Sequence, residues 1–243
     1  MIKFSTSPFL YKINYLIKHN ANIFIIVAFL KFQITKIFFN HFRSKKKKKY
    51  KMSIKDKLIT HDFFSMNSYD WKKNLKEYLG KDTKYLEVGS FEGISAYFIH
   101  KYLKPKKMYC VDTWKGSSEH GSETIFTTVE SNFDNNLKDI KNLIKYKNTS
   151  DDFFSNNKLI FNIIYIDGLH KYYQVKKDLI NALKFLDRDG IIICDDYFWN
   201  LDADKKDIPI GAINEIVNEN NLKIVAVTVN QIFLKKSFKK KIF

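Results

Sequence analysis

Acidic side chains follow two apolar runs of this sequence, at the point where each run ends. The run "LIFNIIYID" ends in Asp167, and the run "GIIICDD" ends in Asp195 and Asp196. His170 stands three residues after Asp167 and opens a predicted amphipathic helix that runs through Leu186. Carboxylates can hold a hard cation such as Mg²⁺, and a histidine can accept a proton near neutral pH. The same residues could instead cap the loop and the helix that follow the two runs.

A glycine motif follows an earlier apolar run. In "LEVGSFEGIS", Glu87, Gly89 and Gly93 have the spacing E-x-G-x-x-x-G. Gly89 allows a sharp turn and Gly93 a close approach of a ligand or a helix. Phe91 replaces a glycine of the dinucleotide fingerprint, which argues against a nicotinamide cofactor. The next apolar run ends in Asp112, which could accept the ribose hydroxyls of a nucleoside or belong to a plain turn.

The order of apolar runs and helical patterns indicates the fold that must position these residues. From Ser68 on, short apolar runs alternate with amphipathic helical patterns, which predicts a Rossmann-like, doubly wound α/β fold. The last two runs, "LKIVAVTVN" and "QIFLKKS", have no helix between them. We therefore predict a mostly parallel seven-stranded sheet that ends in an antiparallel C-terminal hairpin. Ligands of such sheets bind at the carboxyl ends of the strands, where the acidic residues lie.

The motifs "LEVGSFEGISA", "VDTW", "IDGLH" and "CDDY" resemble, in this order, those of class I S-adenosylmethionine (SAM)-dependent methyltransferases. Within that class the chain is similar to metal-dependent O-methyltransferases, of the catechol and macrocin-type sugar kinds, over roughly residues 68–236. The resemblance implies a Mg²⁺-dependent transfer of a methyl group from SAM to a hydroxyl of a small acceptor, such as a sugar or related metabolite. Two alternatives are a metal-independent methyltransferase of the same fold and a non-catalytic, membrane-tethered binding protein.

The resemblance also implies roles for individual residues. Ser95 would hold the methionine carboxylate, Asp112 the ribose, and Ser150 the adenine, with Asp151 a second candidate. His170, with Asp167, would be catalytic; it stands where the catechol enzymes have a lysine base. The metal ligands would be Asp167, Asp195 and Asp196. The full set of cofactor-binding residues would be Glu87, Gly89, Ser90, Gly93, Ser95, Asp112, Ser150, Asp151 and Asp167.

The distribution of charge and the positions of the cysteines indicate which partners and which compartment to expect. The net charge is +16, but residues 1–52 carry twelve of the 42 Lys and Arg and none of the 26 Asp and Glu. The remaining chain is close to neutral, so we expect no nucleic-acid partner. Cys110 and Cys194 lie inside apolar runs, which indicates reduced, buried thiols of a cytoplasmic protein.

The N-terminal region differs from the rest of the chain. Residues 21–39 are apolar enough for a membrane helix, although Lys31, Gln33 and Lys36 interrupt them, and the following "RSKKKKKYK" could bind anionic headgroups. Residues 1–52 could be a membrane-associated helix held at the inner membrane face through residues 21–51. They could also be a helical cap, or precede a native start at Met52. We predict a methyltransferase domain over residues 53–243 that folds without this extension.

Overall fold

Seven strands form one sheet within residues 8–116 and 126–237, which the computed structural model describes. Their order across the sheet is β3-β2-β1-β4-β5-β7-β6. The first five strands pair in parallel, and β7 is antiparallel to both of its neighbours. The predicted mostly parallel sheet with a C-terminal hairpin is confirmed. The strands are β1 (Lys84–Val88), β2 (Lys107–Asp112), β3 (Leu143–Lys147), β4 (Phe161–Ile166), β5 (Leu186–Cys194), β6 (Lys223–Val227) and β7 (Ile232–Lys235).

Helices cover both faces of the sheet, so each face has its own core. On β4, Ile164 and Ile166 pack in one core, whereas Ile163 and Tyr165 pack in the other. This two-sided burial explains why the strands read as unbroken apolar runs. The helices are α1 (Pro8–Lys18), α2 (Ile23–Ser53), α3 (Ser68–Asn74), α4 (Ile94–Leu103), α5 (Phe126–Leu137), α6 (Ser150–Asn156), α7 (Tyr172–Phe185) and α8 (Pro209–Glu219).

The first two helices pack against the body of the fold. Leu16 of α1 and Phe29 of α2 are fully buried in the core that also contains the buried residues of α7 and α8. The hydroxyl of Tyr50, near the end of α2, donates to the carbonyl oxygen of Ile94 at 2.6 Å. In this structure residues 8–53 cover the domain as a helical cap. The division of the chain at residue 52 stays a prediction.

Candidate active site

Two neighbouring strands bring an acidic cluster together at their carboxyl ends. Strands β4 and β5 pair in parallel with Ile166 opposite Cys194, so the residues that follow them meet. Asp167, His170 and Asp196 each offer a ligand atom, and these three atoms lie within 4.8 Å of one another. His170 Nε2 lies 2.9 Å from Asp196 Oδ2 and 3.9 Å from Asp167 Oδ1. Two carboxylates and an imidazole at this distance could hold a divalent cation.

Asp195, the third predicted metal ligand, is not one of the three residues of this cluster. Its Oδ1 accepts a hydrogen bond from the backbone N–H of Asp196 at 2.8 Å. Its Oδ2 accepts from Gln231 Nε2 at 2.8 Å and from the Tyr165 hydroxyl. Gln231 is itself oriented by Trp71, whose Nε1–H donates to Gln231 Oε1 at 2.9 Å. Both oxygens of Asp195 therefore accept hydrogen bonds within the protein, and its part in a metal site stays a prediction.

Tyr165 links the carboxyl groups of Asp167 and Asp195. Its hydroxyl lies 2.8 Å from Asp167 Oδ2 and also bonds Asp195 Oδ2, although it has one proton to donate. Burial raises the pKa of Asp167 to about 6 and the pKa of Asp195 well above its ordinary value. The Tyr165 hydroxyl can donate to only one of the two carboxyl groups. The other carboxyl group, when it is protonated, can donate to the tyrosine oxygen.

The loops around His170 and Asp196 fix their geometry. Helix α7 begins at Tyr172 after an extended Lys171, so His170 lies in the loop before the helix rather than in its first turn. The His170 ring packs on Trp199, with 4.9 Å between ring centroids. Asp196 adopts a positive φ of 50°, a conformation that is costly for a residue with a side chain. Such local strain is common where a side chain must be aimed at a functional site.

The glycine loop touches the acidic cluster. Gly89 has a φ of +84°, and a Cβ added there would lie 1.9 Å from the carbonyl oxygen of Asp167. At Gly93, with a φ of +76°, a Cβ would contact the side chains of Leu137 and Phe133. Both glycines thus have a positive φ and a close protein neighbour, which agrees with the sharp turn and the close approach that the sequence predicted; their contact with a cofactor stays a prediction.

Asp112 lies at the end of β2 and closes this loop. Its Oδ2 accepts from the backbone N–H groups of Ser90 and Phe91 at 2.8 and 2.9 Å, and its Oδ1 accepts from Trp114 N at 2.8 Å. A carboxylate has about four acceptor positions, so one remains for a ligand hydroxyl. Asp112 is therefore a loop anchor in this structure, with room for one further hydrogen bond.

Two other predicted cofactor positions are engaged within the protein. Ser95 is buried and donates its hydroxyl to Glu87 Oε1, while Tyr85 donates to Glu87 Oε2 at 3.1 Å. Glu87 is fully buried, and this burial raises its pKa to about 8. Glu87 is therefore largely protonated at neutral pH. The Ser95 hydroxyl is directed at this carboxyl rather than into a ligand site.

The predicted adenine contacts lie on helix α6 and bond to helix α7. Gln174 Nε2 donates to Ser150 Oγ at 3.1 Å, and Lys177 Nζ pairs with Asp151 Oδ2 at 2.6 Å. The segment before them is close to the ribose candidate, because Asn148 N donates to the carbonyl oxygen of Asp112 at 3.0 Å. Ser150 and Asp151 thus lie near the ribose candidate Asp112 in the fold, as predicted for adenine contacts. In this structure, however, their side chains bond to helix α7.

A segment that the sequence did not single out covers the cleft. We call residues 57–64 the strap; its His61, Phe63 and Phe64 line a cleft together with Gly89, Ser90, Ser95, Tyr165 and Asp167. The fully buried Glu92 holds the strap, since its Oε2 accepts from Thr60 N at 2.8 Å. In the sequence, the signal for such an anchor was Glu92 itself, a charged residue between the two glycines of the motif.

A comparison with protein families identifies part of the chain. Residues 86–197 match the family model described as a methyltransferase domain. This range holds the glycine loop, Asp112, Asp167 and His170, and it ends just past Asp196. No curated protein sequence matches the chain significantly.

Solved structures share the fold at low sequence identity. The MycE methyltransferase of the mycinamycin biosynthetic pathway, in complex with Mg, SAH and mycinamycin VI, has a TM-score of 0.56 at 13% identity over 83% of this chain. This chain spans only 56% of the length of MycE. The O-methyltransferase NovP has a TM-score of 0.55 at 12% identity, covering 71% of this chain and 78% of NovP. A ribosomal protein L11 methylase from Lactobacillus delbrueckii subsp. bulgaricus has a TM-score of 0.51 at 16% identity, covering 75% and 83%. At these low identities the likeness shows the fold alone.

Proposed function

We propose that this chain, which carries a methyltransferase domain of the class I SAM-dependent type, methylates a hydroxyl group of a small acceptor with the help of a divalent cation. The observation that carries this proposal is the cluster of Asp167, His170 and Asp196 beside the glycine loop. The close approach of Gly89 to Asp167 supports the proposal, because a loop that binds a nucleoside would then lie next to a cluster that binds a cation. A methyl donor and a hydroxyl acceptor need such adjacent sites.

The residues fit both implied groups. Asp167 and Asp196 would hold Mg²⁺, which in proteins takes one or two carboxylates and keeps oxygen ligands from water or substrate. When bound, the cation lowers the pKa of a coordinated hydroxyl and fixes its position. The cleft between the strap and the glycine loop is where SAM, whose sulfonium supplies the methyl group, would bind.

The chain's own residues would hold the acceptor and take its proton. His170 accepts the hydroxyl proton, and Asp196, whose Oδ2 lies 2.9 Å from His170 Nε2, stabilises the imidazolium that results. Trp199 packs on the imidazole ring and limits its rotation. Asp112 offers its remaining acceptor position to a ribose hydroxyl. Sugars and related polyhydroxylated metabolites are the acceptors that we favour, because the sugar O-methyltransferases that the chain resembles have an aspartate where Asp196 stands, whereas the catechol enzymes have an asparagine.

Binding of the product SAH and methyl transfer test the proposal separately. We expect SAH to raise the melting temperature of the full chain with or without Mg²⁺. Labelled methyl transfer from SAM to a panel of sugars and catechols should require Mg²⁺ and stop with EDTA. Transfer that EDTA does not change would indicate a metal-independent methyltransferase of the same fold. Absence of any SAH response would contradict the proposed function as a whole.

A further inference from the structure

Helix α2 exposes an apolar stripe on the side opposite the core. Six large apolar residues repeat at helical spacing along its first sixteen positions, and two of them, Ile37 and Phe38, are 78% and 73% exposed. We call the set the outer stripe: Ile23, Val27, Leu30, Ile34, Ile37 and Phe38. At 1.5 Å per residue it extends for about 24 Å. Soluble proteins rarely expose a continuous apolar stripe of this length without a partner.

The inner face of the same helix is fixed to the body. Ile25 and Phe29 are fully buried in the core, and α2 runs beside β6. Near the other end, Arg43 pairs with the buried Asp70, and Tyr50 bonds to the start of α4. By length and composition α2 could cross a membrane. Crossing would expose these buried contacts to lipid and break them, whereas lying along a surface keeps them.

Charge identifies the partner of the outer stripe. Lys45 and Lys48 continue the stripe at helical spacing, within the run Lys45–Lys49. Residues 1–52 contain twelve basic residues and no acidic one. A second copy of the chain would therefore bring like charges together. An anionic lipid surface instead receives the apolar residues in its acyl boundary and the lysines among its headgroups.

We propose that the outer stripe docks α2 in the plane of an anionic membrane, with the domain lying on that surface rather than tethered by a spanning helix. The proposal rests on the faces of α2 and is independent of the reaction at the acidic cluster. It assigns the two apolar faces of one helix to two partners, the protein core and the lipid.

Vesicle flotation of the full chain tests this proposal. Wild-type protein should float with phosphatidylcholine vesicles that contain phosphatidylserine, and it should dissociate at high salt. Ile37→Glu should weaken partitioning about tenfold or more, because it places a charge in the apolar boundary. Lys45→Gln with Lys48→Gln should weaken it about fivefold per lysine. Ile180→Glu, an equally drastic change at an exposed residue of α7, should have no effect.

Several results would overturn the proposal. One is a wild-type protein that does not float with anionic vesicles at low salt, while its thermal transition shows it folded. Another is equal binding to neutral and anionic vesicles that survives high salt, which would indicate a spanning helix. A third is a wild-type dimer in solution that Ile37→Glu converts to a monomer without any vesicle binding, which would assign the stripe to a second copy.

Discussion

Gly89 brings the glycine loop against the strand end that carries Asp167. An alanine Cβ there would lie 1.9 Å from the Asp167 carbonyl oxygen, and neither backbone can move without shifting the loop. We expect Gly89→Ala to abolish the SAH-induced rise in melting temperature. It should also lower the free energy of unfolding by about 2 kcal/mol or more in urea titrations.

Gly80 provides the matched control, because its φ is +71° and no atom lies within 4 Å of an added Cβ. Gly80→Ala therefore adds backbone strain without a steric clash. It should cost about 1 kcal/mol and leave the SAH response intact. A Gly89→Ala protein that still responds to SAH like wild type would show that the close approach does not shape the loop.

Glu87 makes the stability of the protein depend on pH. Burial raises its pKa from 4.5 to about 8. A carboxyl with a raised pKa contributes stability that is fully present below its unfolded pKa and is lost as the pH rises to its folded pKa. Glu87→Gln cannot ionise, so its stability relative to wild type should increase by about 2–4 kcal/mol between about pH 5 and pH 8. If urea titrations give a difference in free energy of unfolding between the two proteins that does not change over this pH range, the raised pKa of Glu87 would be contradicted.

At the residue scale, the sequence predicted which side chains lie at the sheet edge but not which of them face each other. Asp195 and Asp196 are neighbours in the chain and so point in different directions at the strand end. Asp195 faces Tyr165 and Gln231. Gln231 comes from a distant segment, and no local pattern could reveal this pairing.

The strap is the element whose role the structure adds. Phe63 is 61% exposed, although it packs between His61 and Phe91 at the mouth of the cleft. Aromatic side chains left exposed at a cleft often gain contact area when a ligand binds. We expect Phe63→Ala to weaken SAH binding about fivefold to tenfold in calorimetric titrations, with little change in melting temperature.

Tyr173 on α7 is the control for this prediction, since it is a similarly exposed aromatic residue, at 63%, away from the strap. Tyr173→Ala should leave the affinity for SAH unchanged. Equal affinities of the Phe63→Ala and wild-type proteins would mean that the strap covers the cleft without touching the cofactor.

Element boundaries were less predictable than element order. The helical pattern from His170 was expected to run through Leu186, but α7 spans Tyr172–Phe185 and Leu186 opens β5. Apolar residues at the end of a helix and at the start of a buried strand look alike in sequence. The pairing of Leu186 with Phe161 on β4 resolves the ambiguity, and it depends on a tertiary contact.

At the scale of the whole molecule, the N-terminal helices change what is expected of truncation. The sequence predicted that residues 53–243 fold alone, because the alternating pattern begins near Ser68. In the structure Leu16, Ile25 and Phe29 are fully buried, and each contributes about 1.5–3 kcal/mol through its burial. We expect a chain that starts at Met52 to melt at a much lower temperature than the full chain, or to aggregate. A truncated protein that melts like the full chain would show that the cap contributes little.

The mostly parallel sheet followed from the alternation of strand and helix patterns, and its C-terminal hairpin followed from two strand patterns with no helix between them. The docking of α1 and α2 did not, because an apolar helix has the same composition whether it faces protein or lipid. Only the structure shows that Phe29 is buried against the protein while Ile37, on the same helix, is exposed.

Binding of Mn²⁺, a spectroscopic probe for Mg²⁺, tests most directly whether Asp167 and Asp196 hold one divalent cation beside His170. Electron paramagnetic resonance titration measures free Mn²⁺ without any acceptor. Asp196→Asn is suited to the test, because asparagine tolerates the positive φ at this position while removing the charge. Asp204→Asn alters an exposed acid nearby in the chain and serves as the control.

We expect each wild-type chain to bind one Mn²⁺ that Mg²⁺ displaces, and the Asp204→Asn protein to bind Mn²⁺ with the same affinity. Asp196→Asn should bind about tenfold to a hundredfold more weakly while its SAH-induced rise in melting temperature is kept. Equal Mn²⁺ affinity in the wild-type and Asp196→Asn proteins, or no bound Mn²⁺ in a wild type that responds to SAH, would contradict the cation site.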